Sequence, residues 1–167
     1  MTKTWINLLI ERGVMYLSRI GLLRDYAENW QWFRRAADLG DVDAQLMLGA
    51  LYLGRGVPKD EAECVKWWRK AAEQGHAGGQ FWLGMLYNEG RGAAKDEAEA
   101  AKWFRMAAEQ GHANGQFWLG ALYSERGFEQ DYAEAAKWYR KAAEQGDAEG
   151  QYTLGKRYVV GGGGAGR

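Results

Sequence analysis

His76, His112 and Cys64 carry the side chains best suited to chemistry in this sequence, as its only imidazoles and its only thiol. A zinc ion would need ligand nitrogens within about 2.1 Å of it. The histidines lie 36 residues apart in equivalent places of adjoining repeats, and helices packed about 8–10 Å apart would keep them from sharing a metal. A cysteine nucleophile needs a neighbouring base to generate its thiolate. Cys64 aligns with Ala100 and Ala135, which predicts a small buried slot, and its repeat offers no such base. Gly54-Arg55-Gly56 and Gly90-Arg91-Gly92 look superficially like phosphate-cradling loops. They follow a helical pattern instead of a strand, and lack the spacing and lysine of a P-loop. Paired acids such as Asp60 and Glu63 are accounted for by helix capping. Arg55, Arg91 and Arg126 fall along one loop edge, where they would meet an acidic partner, cap carbonyls or stand in solvent. No catalytic residue, metal or cofactor is expected, and the chain is not read as an enzyme.

The elements that hold these residues repeat. Leu48-Gly49, Leu83-Gly84, Leu119-Gly120 and Leu154-Gly155 recur at spacings of 35, 36 and 35. Tyr52, Tyr87, Tyr123 and Tyr158 keep those intervals, as do Trp32, Trp67, Trp103 and Trp138. Periodicity of this length marks a solenoid of short structural units. Each unit reads as two helices. The second opens at Asp25, Asp60, Asp96 and Asp131 in the pattern D-x-A-E, which predicts a capping box with Asp in place of Ser or Thr. It closes at Gly40, Gly75, Gly111 and Gly146, where a residue of positive φ is wanted after the last turn. Asp41, His76, His112 and Asp147 follow at once, in position to cap the next helix. First helices are expected over residues 41–54, 77–89, 113–125 and 148–160. A Gly-containing loop joins the two helices, and its one-residue stretch accounts for the interval of 36.

The fold expected is all-α, a single solenoid over residues 1–160. Residues 1–40 form a degenerate repeat; 41–75, 76–111 and 112–146 are full repeats, and 147–160 a terminal capping helix. Imperfect end units are usual where a solenoid exposes a face that its neighbours would cover. Residues 161–167 are mostly Gly and read as a flexible tail.

Composition narrows the partners. Lys plus Arg equals Asp plus Glu, 22 against 22, and the signs are mixed along the chain, so no net field draws it to nucleic acid or an anionic membrane. One cysteine allows no intrachain disulfide. The opening apolar run ends at Glu11 and Arg12, too short for a signal-peptide core or a bilayer span. Cytoplasmic localisation is the default; a chain trimmed of an export signal would read the same, which leaves periplasmic or secreted as the alternative. Oligomeric state is not read from these residues.

With its Leu-Gly, Tyr, Gly-Arg-Gly and Ala-Ala-Glu-Gln-Gly landmarks, the repeat resembles the Sel-one-like repeat family, short-loop relatives of tetratricopeptide repeats. The resemblance implies a right-handed superhelix and a role as adaptor or scaffold in protein complexes. It also implies an alternative, since some bacterial members inhibit or neutralise a partner, as an immunity-type protein would. Secreted members described as penicillin-binding carry paired cysteines in each repeat, which this chain lacks.

Placed at about 100° per residue, Ala44, Leu48, Leu51 and Tyr52 share one face of the first helix, with Gly49 beside them, and are expected to form the core within the repeat. Leu46, Phe81, Phe117 and Tyr152 point nearly opposite, on the face that lines the concave channel of tetratricopeptide-type superhelices. Met85 lies near them, with Asn88 and Ser124 one turn on, while Met47, Trp82 and Trp118 fall on a flank. These ten residues are the expected contacts for a partner protein or peptide, centred on an aromatic groove of Phe81, Trp82, Met85, Phe117 and Trp118. Packing between repeats is the competing explanation for every aromatic among them, and a small-molecule site or hydrolase in the groove is the remaining alternative. The second-helix pairs Trp67/Trp68, Trp103/Phe104 and Trp138/Tyr139 are read as core.

Overall fold

The computed structural model describes residues 26–53, 57–125 and 129–146. Among them are seven α-helices and no strand: α1 (Tyr26–Asp38), α2 (Val42–Tyr52), α3 (Glu61–Glu73), α4 (Ala77–Glu89), α5 (Glu97–Glu109), α6 (Ala113–Glu125) and α7 (Glu129–Glu144). The chain divides into two compact units, Met1–Glu97 and Ala98–Arg167. No helix of the described residues is long and apolar enough to cross a membrane. The expected tail, the terminal capping helix and the loops at 54–56 and 126–128 lie outside those residues.

The Ala-Ala-Glu-Gln-Gly landmark builds each repeat's last turn. After α3, the Gly75 N–H donates to the Ala72 carbonyl at 3.0 Å and the His76 N–H to the Ala71 carbonyl at 3.1 Å. This pair is a Schellman motif, and it needs a left-handed residue between helix and exit. Gly75 supplies it at φ +86°. The same bonds recur from Gly40 and Asp41 in the first unit, and from Gly111 and His112 in the second.

The residue after each of these glycines then starts the next helix. Asp41 accepts from the Ala44 N–H at 2.8 Å. His76 does the same through Nδ1 for Gly79 at 3.3 Å, and His112 for Gly115 at 3.2 Å. Both imidazoles are therefore caps, each with its acceptor nitrogen occupied. His76→Ala is expected to cost about 1 kcal/mol through loss of the cap, whereas His76→Asp, which keeps an acceptor and adds a favourable charge at a helix N-terminus, should not destabilise. Urea midpoints of the two variants test the assignment; an equal loss in both would refute it.

Second helices open differently from the expected capping box. Asp60 does accept from the Glu63 N–H at 3.0 Å. The reciprocal bond is not made. Glu63 pairs with Lys66, and the Asp60 N–H reaches back to the Tyr52 carbonyl at 2.8 Å, as Asp96 does to Tyr87 at 3.0 Å. The loop thus closes on the repeated tyrosine of the first helix. The last helix also departs from expectation: α7 begins at Glu129, so Asp131 lies inside it and not before it.

In the first unit the core joins α1, α2 and α3. Phe33, Ala36 and Ala37 of α1 pack with Ala44, Leu48 and Leu51 of α2 and with Trp67 of α3. The face expected to serve only the interior of its own repeat is thus shared with the preceding helix. A second side of α2 is covered as well. Trp68 lies so close to Gly49 that a β-carbon there would stand 2.4 Å from its indole, and its Nε1 donates to the Leu46 carbonyl at 3.0 Å. In the second unit Tyr139 of α7 takes the corresponding place against Gly120 of α6.

A buried glutamine ties these surfaces together. Gln45, Gln80 and Gln116 are almost fully buried. Each donates Nε2 to the carbonyl of the second alanine at the preceding helix end: Ala37 at 3.1 Å, Ala72 at 3.2 Å and Ala108 at 3.2 Å. That oxygen already accepts from the glycine N–H of the Schellman motif, so both of its lone pairs are used. The glutamine of the Ala-Ala-Glu-Gln-Gly stretch completes the network, Gln74 donating to Gln45 Oε1 at 2.9 Å and Gln145 to Gln116 Oε1 at 2.8 Å. Buried amides are tolerable because they are paired.

Candidate protein-interaction face

Of the ten residues expected to meet a partner, Leu46, Met47, Phe81, Trp82, Met85 and Asn88 lie in the first unit and Phe117, Trp118 and Ser124 in the second. Tyr152 is outside the described residues.

In the first unit the exposed members are Met47 on α2, 40 % exposed, and Trp82 on α4, 45 % exposed. Leu46, Met85 and Asn88 are half-buried. Phe81 is only 4 % exposed, which corrects its expected place on an open face. Its ring lies 4.9 Å from that of Trp82, inclined at 58°. Trp68 stacks on Trp82 with centroids 5.4 Å apart and is itself buried. Trp82 is therefore held by two buried rings, which fixes its indole while leaving nearly half of it in water. Such an offset aromatic contact contributes about 0.5–1.5 kcal/mol beyond the area it buries.

The second unit repeats this arrangement with the tryptophan more covered and the phenylalanine less. Phe117 and Trp118 are both half-buried. Trp118 stacks on Phe104 of α5 at 5.9 Å, and Phe117 packs on Tyr139 of α7 at 5.5 Å. Position 117 thus faces the second helix of its own repeat, as Leu46 does through Trp68. These positions line a packing seam, and the flank carrying Met47 and Trp82 is the exposed part of the first helices. Helices with neighbours on two sides bury two faces, a circumstance that an all-apolar helix does not disclose.

The side chains first considered for chemistry are committed elsewhere. Cys64 is fully buried, and burial pushes its thiol up to about 12, so it carries no thiolate at neutral pH. Ala100 and Ala135, its counterparts, are equally buried. Arg91 donates from Nε and Nη2 to Glu61 Oε1 at 2.9 and 2.8 Å, and lies 3.2 Å from Glu89. Hydrogen bonds from Lys59 and from this guanidinium hold the Glu61 carboxyl below its ordinary value. Arg91 serves the contact between its loop and α3. Arg55 and Arg126 lie outside the described residues.

Sequence reasoning missed the glutamine network. Its signal was present, since Gln45, Gln80, Gln116 and Gln151 keep the 35, 36, 35 spacing.

The family model of the Sel1 repeat matches four times, over residues 9–41, 42–76, 77–112 and 113–147. This chain belongs to the Sel1 repeat family. The expected helix–turn–helix repeats are those of this family, whose members are generally protein-interaction scaffolds. The segment read as a degenerate first repeat, 1–40, overlaps the match over residues 9–41.

Among solved structures, the chain is similar to a protective antigen of uropathogenic Escherichia coli displaying an SLR fold, with 42 % identity and a TM-score of 0.87. The match covers 93 % of this chain and 34 % of the antigen. A Sel1 repeat protein from Oxalobacter formigenes is 43 % identical at a TM-score of 0.68, over 74 % of this chain and 51 % of that one. The chain therefore spans about a third of the first protein and half of the second. Cysteine rich protein B of Helicobacter pylori shares the fold at 22 % identity and a TM-score of 0.54, over 69 % of this chain and 95 % of its own. No curated protein sequence matches the chain.

Proposed function

We propose that this Sel1 repeat chain binds another protein, without catalysis, through the exposed flank of its first helices. Trp82 carries the reading: a large ring held from two sides by Trp68 and Phe81, with 45 % of its surface exposed. Rigid, half-exposed tryptophans cost little entropy to bury and are common centres of binding energy. Met47 extends the flank on α2, with Leu46, Met85 and Asn88 beside it. In the second unit Phe117, Trp118 and Ser124 form the corresponding set. The cytoplasm is the compartment proposed for this binding.

The test begins with a tagged chain and capture from the lysate of its source. The captured protein is then purified and titrated against wild type and Trp82→Ala. Loss of a central anchor is worth about 2 kcal/mol or more, so a drop of about thirtyfold in affinity is expected with the helical circular dichroism retained. Unchanged affinity in the Trp82→Ala, Trp118→Ala double variant would sink the proposal. Should the captured protein be an enzyme or toxin, assaying its activity in the complex decides between holding it and neutralising it.

A further inference from the structure

The charges of the first unit are segregated by helix. α2 and α4 contain neither Lys nor Arg. The unit's described cations are Arg34 and Arg35 on α1, Lys66, Arg69 and Lys70 on α3, and Lys59, Arg91 and Lys95 in the loops. The charged residues of the two first helices are Asp43 and Glu89 alone. Both are exposed.

Their helical positions place these acids beside the exposed apolar residues. Asp43 is four residues before Met47, about 6 Å along the axis and on the same face. Glu89 is seven residues after Trp82, again on the same face, with Met85 between. Trp68 bridges the two helices, bonding the Leu46 carbonyl of α2 and stacking on Trp82 of α4. Glu89 shares Arg91 with Glu61, which offsets its charge. Asp43 makes no ion pair among the described residues.

We infer that the segment docking on this flank is apolar over Met47 and Trp82 and carries a Lys or Arg that reaches Asp43. This inference rests on the reading that the first helices bind a partner, and it adds the chemistry of that partner. An acidic segment would find no cation on α2 or α4 and would meet the carboxylate of Asp43. A basic one gains an ion pair within one helical turn of the apolar contact. The remainder of the flank has only uncharged side chains, so apolar burial supplies affinity and Asp43 supplies preference.

Two short synthetic peptides with blocked ends test it, sharing one apolar centre and flanked by Lys in one and by Glu in the other. Binding to the full chain is measured by calorimetry at low and high salt. The Lys-flanked peptide should bind about two- to fivefold more tightly at low salt, the range of an exposed ion pair. Salt should narrow that margin, Asp43→Asn should remove it, and Trp82→Ala should weaken both peptides. Equal affinities, a preference for the Glu-flanked peptide, binding of neither, or a margin that survives Asp43→Asn would each overturn the inference. The reading beneath it fails separately, when a captured partner binds the Trp82→Ala, Trp118→Ala variant unchanged.

Discussion

Replacing Trp68 by alanine is expected to lower folding stability by about 3–5 kcal/mol, the usual range for deleting a buried aromatic. Trp68 is 2 % exposed, and its ring joins three elements. It fills the notch over Gly49, donates Nε1 to the Leu46 carbonyl, and stacks on Trp82 of the next repeat. Its removal leaves a cavity between two helices and takes away the support of Trp82, so partner affinity should fall along with stability. Gly49→Ala approaches the same contact from the other side. An added methyl would stand 2.4 Å from the indole, and overpacking of that kind costs about 1–3 kcal/mol. Alanine's better helix propensity, about 1 kcal/mol over glycine, offsets part of this. In a Trp68→Ala background the collision is gone and the propensity gain remains, so Gly49→Ala should turn from destabilising to stabilising. Denaturant unfolding of the four chains measures this reversal. Simple additivity would mean that the glycine does not exist for the ring.

Gly92→Ala is the second large effect, expected at about 2–4 kcal/mol. Gly92 has φ +70°, a region costing an L-residue about 1–2 kcal/mol. Conformation is the smaller part. A β-carbon there would meet the Glu61 carbonyl oxygen at 2.1 Å and its carbon at 2.4 Å. Both atoms belong to the backbone at the start of α3 and have no rotamer in which to escape. The loop would have to lift from α3, separating Arg91 from Glu61. Gly75→Ala is the control, with a similar φ of +86° but nothing within 4 Å of its β-carbon. Gly75→Ala should therefore show the conformational penalty alone, and Gly92→Ala clearly more. Equal losses at the two glycines would remove the packing argument.

How much was readable in advance differs by feature. The ends of helices were legible because caps are local: Gly75 and His76 act on atoms three to five residues away, and residue type at fixed spacing suffices to announce them. Residues 77–89 and 113–125 were expected as first helices, and α4 and α6 occupy them. The capping box was read half correctly. Asp60 does cap, yet the destination of its N–H depends on where the loop returns, and that is Tyr52.

Faces were read less well than ends. α4 is apolar nearly all round, so its periodicity prefers no direction, and Phe81 was placed on the open side when it is buried beneath Trp82. The second helices give the contrast, with charge on one face and aromatics on the other: Trp67, Trp68, Trp103, Phe104 and Tyr139 are buried as expected, and Trp138, expected in the core, is only half-buried. Gln80 shows the same limit from the polar side. A glutamine reads as surface until the carbonyl of Ala72, at the end of another helix, is found 3.2 Å away.

The sequence by itself determined the repeat, its all-α class, most of its helix ends and the absence of a second cysteine. These follow from residue type and spacing, and the forces involved act within a turn or two of chain. Only the tertiary structure decided which side of each first helix is covered. That depends on what stands against the helix from both neighbours, through contacts such as Trp68 on Gly49 that join residues far apart in sequence. The exposed flank of Met47 and Trp82, where partner binding is proposed, is what remains after both neighbours have taken their share.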